Sequence, residues 1–252
     1  MQDTATVPAT PVFRRVEAGH GVNWWSSAWQ LLFNRGATGV WIAMVLIAVI
    51  IGAALHVVPA LGSVAAQIAW FVFAGGLMLA ARKTEEGTAP AIGDLFSGFG
   101  AHLGSLALGA VLLMVGMLLV FGALAMAGVT AFLAGLLGFS AGDLGALAGL
   151  GATSLLLVLA AVLLLIPIGM AAWLAPALIV LQQRPPFEAL KTSLAACWAN
   201  LGALTVYGLL WIAFAIIASI PLGLGWLVLA PLMVLSTYAA YQDLFEAGGS
   251  GG

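Results

Sequence analysis

Six long apolar runs organise the chain, at about residues 38–58, 61–81, 104–127, 152–181, 201–221 and 225–243. Each is continuous and close to the roughly 20 residues that cross a bilayer core of about 30 Å. Inside lipid every backbone polar group must be satisfied within the segment, so each run predicts a helix. A strand barrel needs lipid-out, lumen-in alternation, which these runs lack. The pattern predicts an all-α, polytopic six-helix transmembrane bundle built from three helical hairpins.

Shorter amphipathic stretches precede the hairpins. Val22, Trp25, Trp29, Leu32 and Phe33 recur at helical spacing, with Asn23, Ser26, Ser27, Gln30 and Asn34 on the other face. Phe187, Leu190, Leu194, Cys197 and Trp198 repeat that spacing, and Ile92, Leu95, Phe96, Phe99 and Leu103, started by Asp94, form a looser third example. Such stretches predict short helices in the membrane interface, with Trp24, Trp25, Trp29 and Trp198 in an aromatic belt. Pro185 and Pro186 suit the first turn of the helix before the last hairpin, and Glu188 suits its positive N-terminal end.

The hairpins also read as pseudo-repeats of one direction. The segment 34–40, from Asn34 to Val40, parallels 200–206, from Asn200 to Val206, with a weaker copy at 102–108. The turn Pro59-Ala60-Leu61-Gly62 parallels Pro221-Leu222-Gly223-Leu224-Gly225. Gly- and Ala-rich sequence also produces such matches by chance.

Composition agrees with the pattern. Of 252 residues, 63% are hydrophobic and 6% charged, against about 25% charged in a soluble domain, and the mean hydropathy is +1.17. Six helices and short connections use nearly all the length, leaving no room for a second, soluble domain. The expected organisation is a flexible cytoplasmic tail over 1–20, the membrane domain over 21–246 and a linker or added tail over 247–252. Arg14, Arg15, Arg35, Arg82, Lys83, Arg184 and Lys191 all fall on one side of the six runs. The positive-inside rule then places both termini in the cytoplasm of a bacterial inner membrane. So few basic residues, set beside the spans, form no patch for nucleic acid. Cys197 is alone, which excludes an intramolecular disulfide.

Candidate chemistry is sparse. No Asp, Glu, Lys or Arg lies deep in a span, where proton-coupled pumps and voltage sensors carry them. Asp143, the acidic group of an outer loop, is explained as a helix cap. His20, His56 and His102 share neither depth nor ligand spacing, so no metal is expected. No serine has a nucleophile-elbow context, and none of the 32 glycines forms a phosphate loop. No cofactor is implied. Gly104, Gly109, Gly116, Gly122, Gly128 and Gly135 are expected to let helices approach closely. The stretch 104–138 is too long for one perpendicular span, so its end tilts, protrudes or re-enters.

The most suggestive local feature is the fourth run. Pro167 and Pro176 each remove a backbone donor and free a carbonyl one turn earlier, near Leu163 and Ala172, which kinks the helix or offers a ligand contact. His56 and Gln67 form a second candidate pair across the turn at Pro59, as an interhelical hydrogen bond or a substrate contact.

Three motifs carry a likeness to known proteins: residues 14–21, from Arg14 to Gly21; Trp173-Leu174-Ala175-Pro176-Ala177-Leu178; and 219–226, from Ser219 to Trp226. Through them residues 13–246 resemble a family of uncharacterised six-helix inner-membrane proteins of proteobacteria. The resemblance implies no catalytic or binding residues. The sequence leads to a non-enzymatic membrane protein acting as an accessory or scaffold subunit, with membrane lipids and a membrane-protein partner or further copies of itself as partners. The competing reading is a small transporter or lipid-handling permease with a pathway at the broken fourth helix.

Overall fold

The computed structural model describes residues 13–33, 36–140 and 145–246. Asn34, Arg35, Asp143, the first twelve residues of the expected tail over 1–20 and the expected tail over 247–252 lie outside the described residues. The helices are α1 (His20–Phe33), α2 (Thr38–Leu55), α3 (Leu61–Glu85), α4 (Leu103–Ser140), α5 (Gly145–Gln182), α6 (Pro186–Ala199), α7 (Leu201–Ser219) and α8 (Trp226–Phe245), with a 3-10 helix at Ile92–Phe99 between α3 and α4. Six of them, α2, α3, α4, α5, α7 and α8, are long and apolar enough to cross a membrane. They pair in sequence as α2 with α3, α4 with α5 and α7 with α8. A short helix precedes each pair: α1, the 3-10 helix and α6. The all-α bundle of three hairpins therefore stands as the sequence predicts.

The first and last hairpins close with equivalent turns. The residue after each turn proline has positive φ, Ala60 at 60° and Leu222 at 55°. Three or four residues past the proline, a glycine packs onto the preceding helix: Gly62 on the Leu55 carbonyl, Gly225 on Ala218. A side chain at either position would strike backbone, which accounts for the shared Pro and Gly pattern.

The helices divide into inner and outer members. Over their most apolar stretches α3 buries 61% and α8 56% of residues, whereas α4 buries 11% and α5 none. Trp24, Trp41, Phe73, Tyr238 and Tyr241 are the largest side chains in the core around α3 and α8. Neutral hydrogen bonds tie the spans together: Tyr207 to Ser236 (2.9 Å) and Trp173 to Thr237 (3.0 Å). In the apolar interior these bonds keep polar atoms from being orphaned.

The long third segment is one unbroken helix. α4 and α5 each have 38 residues, about 57 Å at 1.5 Å per residue. They run antiparallel, with Gly116 facing Ile168, Gly128 facing Leu157 and Gly135 facing Leu150. Gly109 lies against Phe71 of α3, and α3 begins ten residues earlier, at Leu61. By helical rise α4 passes the N-terminal end of α3 near Leu119 and continues for about 30 Å with α5 as its neighbour.

The predicted interfacial helices form with a shifted face. α1 buries Trp24, Trp25, Ala28 and Leu32, while Val22 and Trp29 remain exposed. Trp24 and Trp25 thus leave the expected aromatic belt and enter the core, because α1 is wedged against α7 and α8: a side chain at Gly21 would strike the Ala203 carbonyl. Trp29 and Trp198 stay outward, 55% and 63% exposed. The third stretch folds as a 3-10 helix lying along α3, where Gly76 meets the Leu95 carbonyl and Gly98 meets the Val72 carbonyl.

The glycines therefore separate into two classes. Gly76→Ala should cost about 1–3 kcal/mol through overpacking against backbone, lowering the melting temperature in detergent by several degrees. At Gly122 the space that a methyl group would take is open, with nothing within 4 Å. Gly122→Ala should therefore leave the melting temperature unchanged or raise it, by up to about 1 kcal/mol of helix propensity.

Candidate functional site

The ionisable side chains gather where α3 and α8 end. Glu85 closes α3, and Asp243 lies in the last turn of α8 with Glu246 just past it. A helix C-terminus repels negative charge, so each acid needs another source of stabilisation. Arg82 pairs with Glu246, and Tyr241 Oη–H donates to the same carboxylate (3.0 Å). Glu85 accepts from Tyr238 Oη–H (2.6 Å) and from the Gln242 amide. Asp243 is engaged by Arg14, by His20 Nδ1 (2.7 Å) and by the Trp24 indole N–H (2.9 Å). The part-exposed ion pairs contribute about 0–1 kcal/mol each. Their main effect is positional, joining α1, α3 and α8 at one end.

Asn200 extends that junction to the last hairpin. It is 2% exposed, accepts from Val16 N–H (2.7 Å) and donates to the carbonyls of Arg14 (3.0 Å) and Ala196 (2.9 Å). Arg14 N–H in turn donates to the Leu244 carbonyl (2.7 Å). The segment before α1 is thereby strapped across the end of α8 and the start of α7. Among α1, α3 and α8 opens a cavity of about 460 Å³ lined by His20, Asn23, Ser27, Glu85, Asp243 and Glu246 among others. A further ion pair, Lys83 with Asp94 (2.5 Å), pins the 3-10 helix to α3. Asp94 also accepts from Ala91 N–H (2.9 Å). Burial pushes its carboxyl upward, but the Lys83 and Ala91 hydrogen bonds together with the Lys83 charge hold it below the usual carboxylate range.

α5 runs through both prolines without interruption. Between them, Ser193 of α6 accepts from Leu174 N–H (3.1 Å) and donates to the Met170 carbonyl (2.6 Å). Those two groups are i and i+4 partners in a regular helix, so the hydroxyl engages both ends of one rung of the α5 ladder. Cys197 Sγ lies 3.6 Å from the same carbonyl, and burial pushes its thiol up to about 12. Leu163 is 70% exposed, Pro167 and Ala172 are half-buried and Pro176 is buried. The structure thus takes Pro176 into the core, leaves Pro167 and Ala172 half-buried and turns Leu163 outward. His56 Nδ1 hydrogen-bonds the Gly52 carbonyl of its own helix (2.7 Å). Gln67 is exposed, and no hydrogen bond joins it to His56. Sequence reading missed Ser193 and the acids of the polar end. The available signal was acids at two helix C-termini, where the dipole disfavours them, beside Tyr238, Tyr241 and Gln242 at helical spacing.

A different surface lies between α1, α7 and α8. It is an apolar trough of about 520 Å³ with Ser26 as its one polar lining residue.

Fold and polar end together define a multi-pass all-α membrane protein. The chain is similar to a protein of Burkholderia thailandensis described as a "probable inner membrane protein", with 35% identity over 96 residues. The match takes in 31% of this chain and 36% of the relative, so the chain spans about a third of the length of the curated relative it matches. No protein-family model and no solved structure matches. The relative bears out the resemblance to proteobacterial inner-membrane proteins, and with the six apolar helices it supports a multi-pass inner-membrane protein.

The Lys83 and Asp94 pair sets a pH dependence. With the folded carboxyl below its unfolded value of about 3.9, its stabilisation is present above that value and is lost as pH falls through the folded one. Asp94→Asn keeps an acceptor for Ala91 N–H but removes the charge. At pH 7 it should cost about 1 kcal/mol or less, because Lys83 is half exposed. Melting curves of the two proteins should converge as the pH falls below about 4; a constant gap would contradict the ionic contribution.

Proposed function

We propose that this chain is a non-enzymatic accessory or scaffold subunit of the inner membrane, with both termini cytoplasmic, that docks a membrane-protein partner along the outer part of the α4–α5 hairpin. The observation that carries this reading is the hairpin's reach. Its two helices are about 57 Å long by helical rise, against about 30 Å of hydrocarbon and about 40–45 Å with headgroups. The surface past the bundle stays apolar: Leu119, Met126, Phe132, Leu137, Leu156 and Leu159 are all more than half exposed. At ordinary tilts of about 20° a bilayer leaves part of that surface uncovered. An apolar partner surface covers it.

The ionisable groups support the same reading. Those of the polar end are engaged with one another and hold the hairpins together, which suits a structural role. The competing permease reading draws on a broken α5 with freed carbonyls near Leu163 and Ala172. α5 runs as one helix through both prolines, and Ser193 of α6 is bonded to its backbone between them, at Met170 and Leu174, which favours the scaffold.

A photo-crosslinking residue placed at Leu133 or Leu159 in living cells should give a discrete protein adduct whose added mass differs from that of a second copy. The same residue at Leu209 on α7, 63% exposed, should give lipid adducts. Adducts of twice the chain mass would replace the partner by self-association. Lipid adducts at all three positions would overturn docking through the hairpin.

A further inference from the structure

We propose that the trough between α1, α7 and α8 holds one acyl chain of a membrane lipid, drawn from the leaflet on the Pro221 side. Each wall is one stripe of a helix: Val22, Trp25, Ser26 and Trp29 from α1; Leu210 to Pro221 from α7; Gly225 to Leu232 from α8. The walls are fixed. Trp25 stacks on Tyr207 at 5.1 Å between ring centroids and meets Phe214 edge-on at 5.0 Å. Gly21 lets α1 sit against α7, and Gly225 lets α8 sit against Ala218. The trough is therefore a built shape rather than a gap that side chains collapse into.

Its dimensions select the occupant. From Leu210 to Pro221 the lining runs eleven residues, about 16 Å at helical rise. One leaflet of a hydrocarbon core of about 30 Å is about 15 Å deep. A partner's transmembrane helix crosses both leaflets, about 30 Å, twice the length of the trough, whereas one acyl chain spans a single leaflet and matches it. Water gains nothing from an apolar lining, and an empty trough forfeits the dispersion contacts that a chain restores.

The trough lies in the half of α7 remote from Asn200, and the turn at its outer end, 220–225, has neither Lys nor Arg. No cation waits there for a phosphate, so the site recognises the chain and is indifferent to headgroup charge. No residue of the hairpin surface proposed for the partner lines it, and it does not depend on that reading.

The test uses the purified full chain in phosphatidylcholine vesicles carrying a trace of phosphatidylcholine with a photoactivatable diazirine in one acyl chain. After irradiation, peptides containing Trp25, Trp29 and Phe214 should carry at least five times the label found around Leu118 and Leu119 on α4, which are 71% and 69% exposed. Leu210→Trp, and independently Ser26→Trp, should fill the trough and lower its labelling at least fivefold while leaving the α4 signal and the melting temperature in place. A phosphatidylglycerol probe with the same chain should label equally. Even labelling of all apolar faces, labelling unchanged in a filled variant that still folds, or a fivefold preference for one headgroup would each overturn the site. None of these readouts requires a protein partner, so the result is separate from the fate of the scaffold reading.

Discussion

A bilayer core offers a polar group no water, and that constraint arranges the rest of this molecule. Backbone groups meet it by forming six helices. Side chains meet it by sorting along the bundle axis. Arg82, Lys83, Glu85, Asp243 and Glu246 sit at or beyond the last turns of α3 and α8, where they pair with one another or with Arg14, His20, Asp94 and Tyr238. Deeper in, the polar contacts that link helices are neutral, as in Tyr207 with Ser236, Trp173 with Thr237 and Ser193 with the α5 backbone. The polar end thereby becomes the place where the inner helices are joined, and Asn200 ties the segment before α1 to the same point. The hairpins are free to differ at their other ends, where no ion pair among the described residues constrains them.

Elements governed by that constraint were legible in the sequence. The apolar runs gave the spans to within a few residues for α2, α7 and α8, and Pro and Gly marked equivalent turns whose backbone turns out alike at Ala60 and Leu222. Features set by tertiary packing were not. The amphipathic spacing around Trp25 could not reveal that α1 wedges between neighbours and buries Trp24 against an acid 219 positions away. Counting bases left Glu85, Asp243 and Glu246 unread, because their partners come from other helices. The prolines of α5 pointed to freed carbonyls at Leu163 and Ala172. The side-chain contact to the α5 backbone lies instead at Met170 and Leu174, made by a serine from α6 that no local rule marks.

Two apolar surfaces of different shape follow. The α4–α5 hairpin is convex and longer than a bilayer core, which calls for a broad apolar cover. The trough beside α1 is concave and one leaflet long, which calls for a linear chain. Both fit a protein whose work is association within the membrane.

The claim on which this account rests is that all the basic charge lies at one end and that this end faces the cytoplasm. Single cysteines at Leu224 and Glu86, both exposed, in a Cys197→Ser background test it with a membrane-impermeant maleimide on intact cells. Leu224→Cys should label at once, and Glu86→Cys should label after the inner membrane is permeabilised. Prompt labelling of Glu86→Cys with Leu224→Cys shielded would invert the topology, and equal labelling of both in intact cells would contradict the six-span arrangement itself.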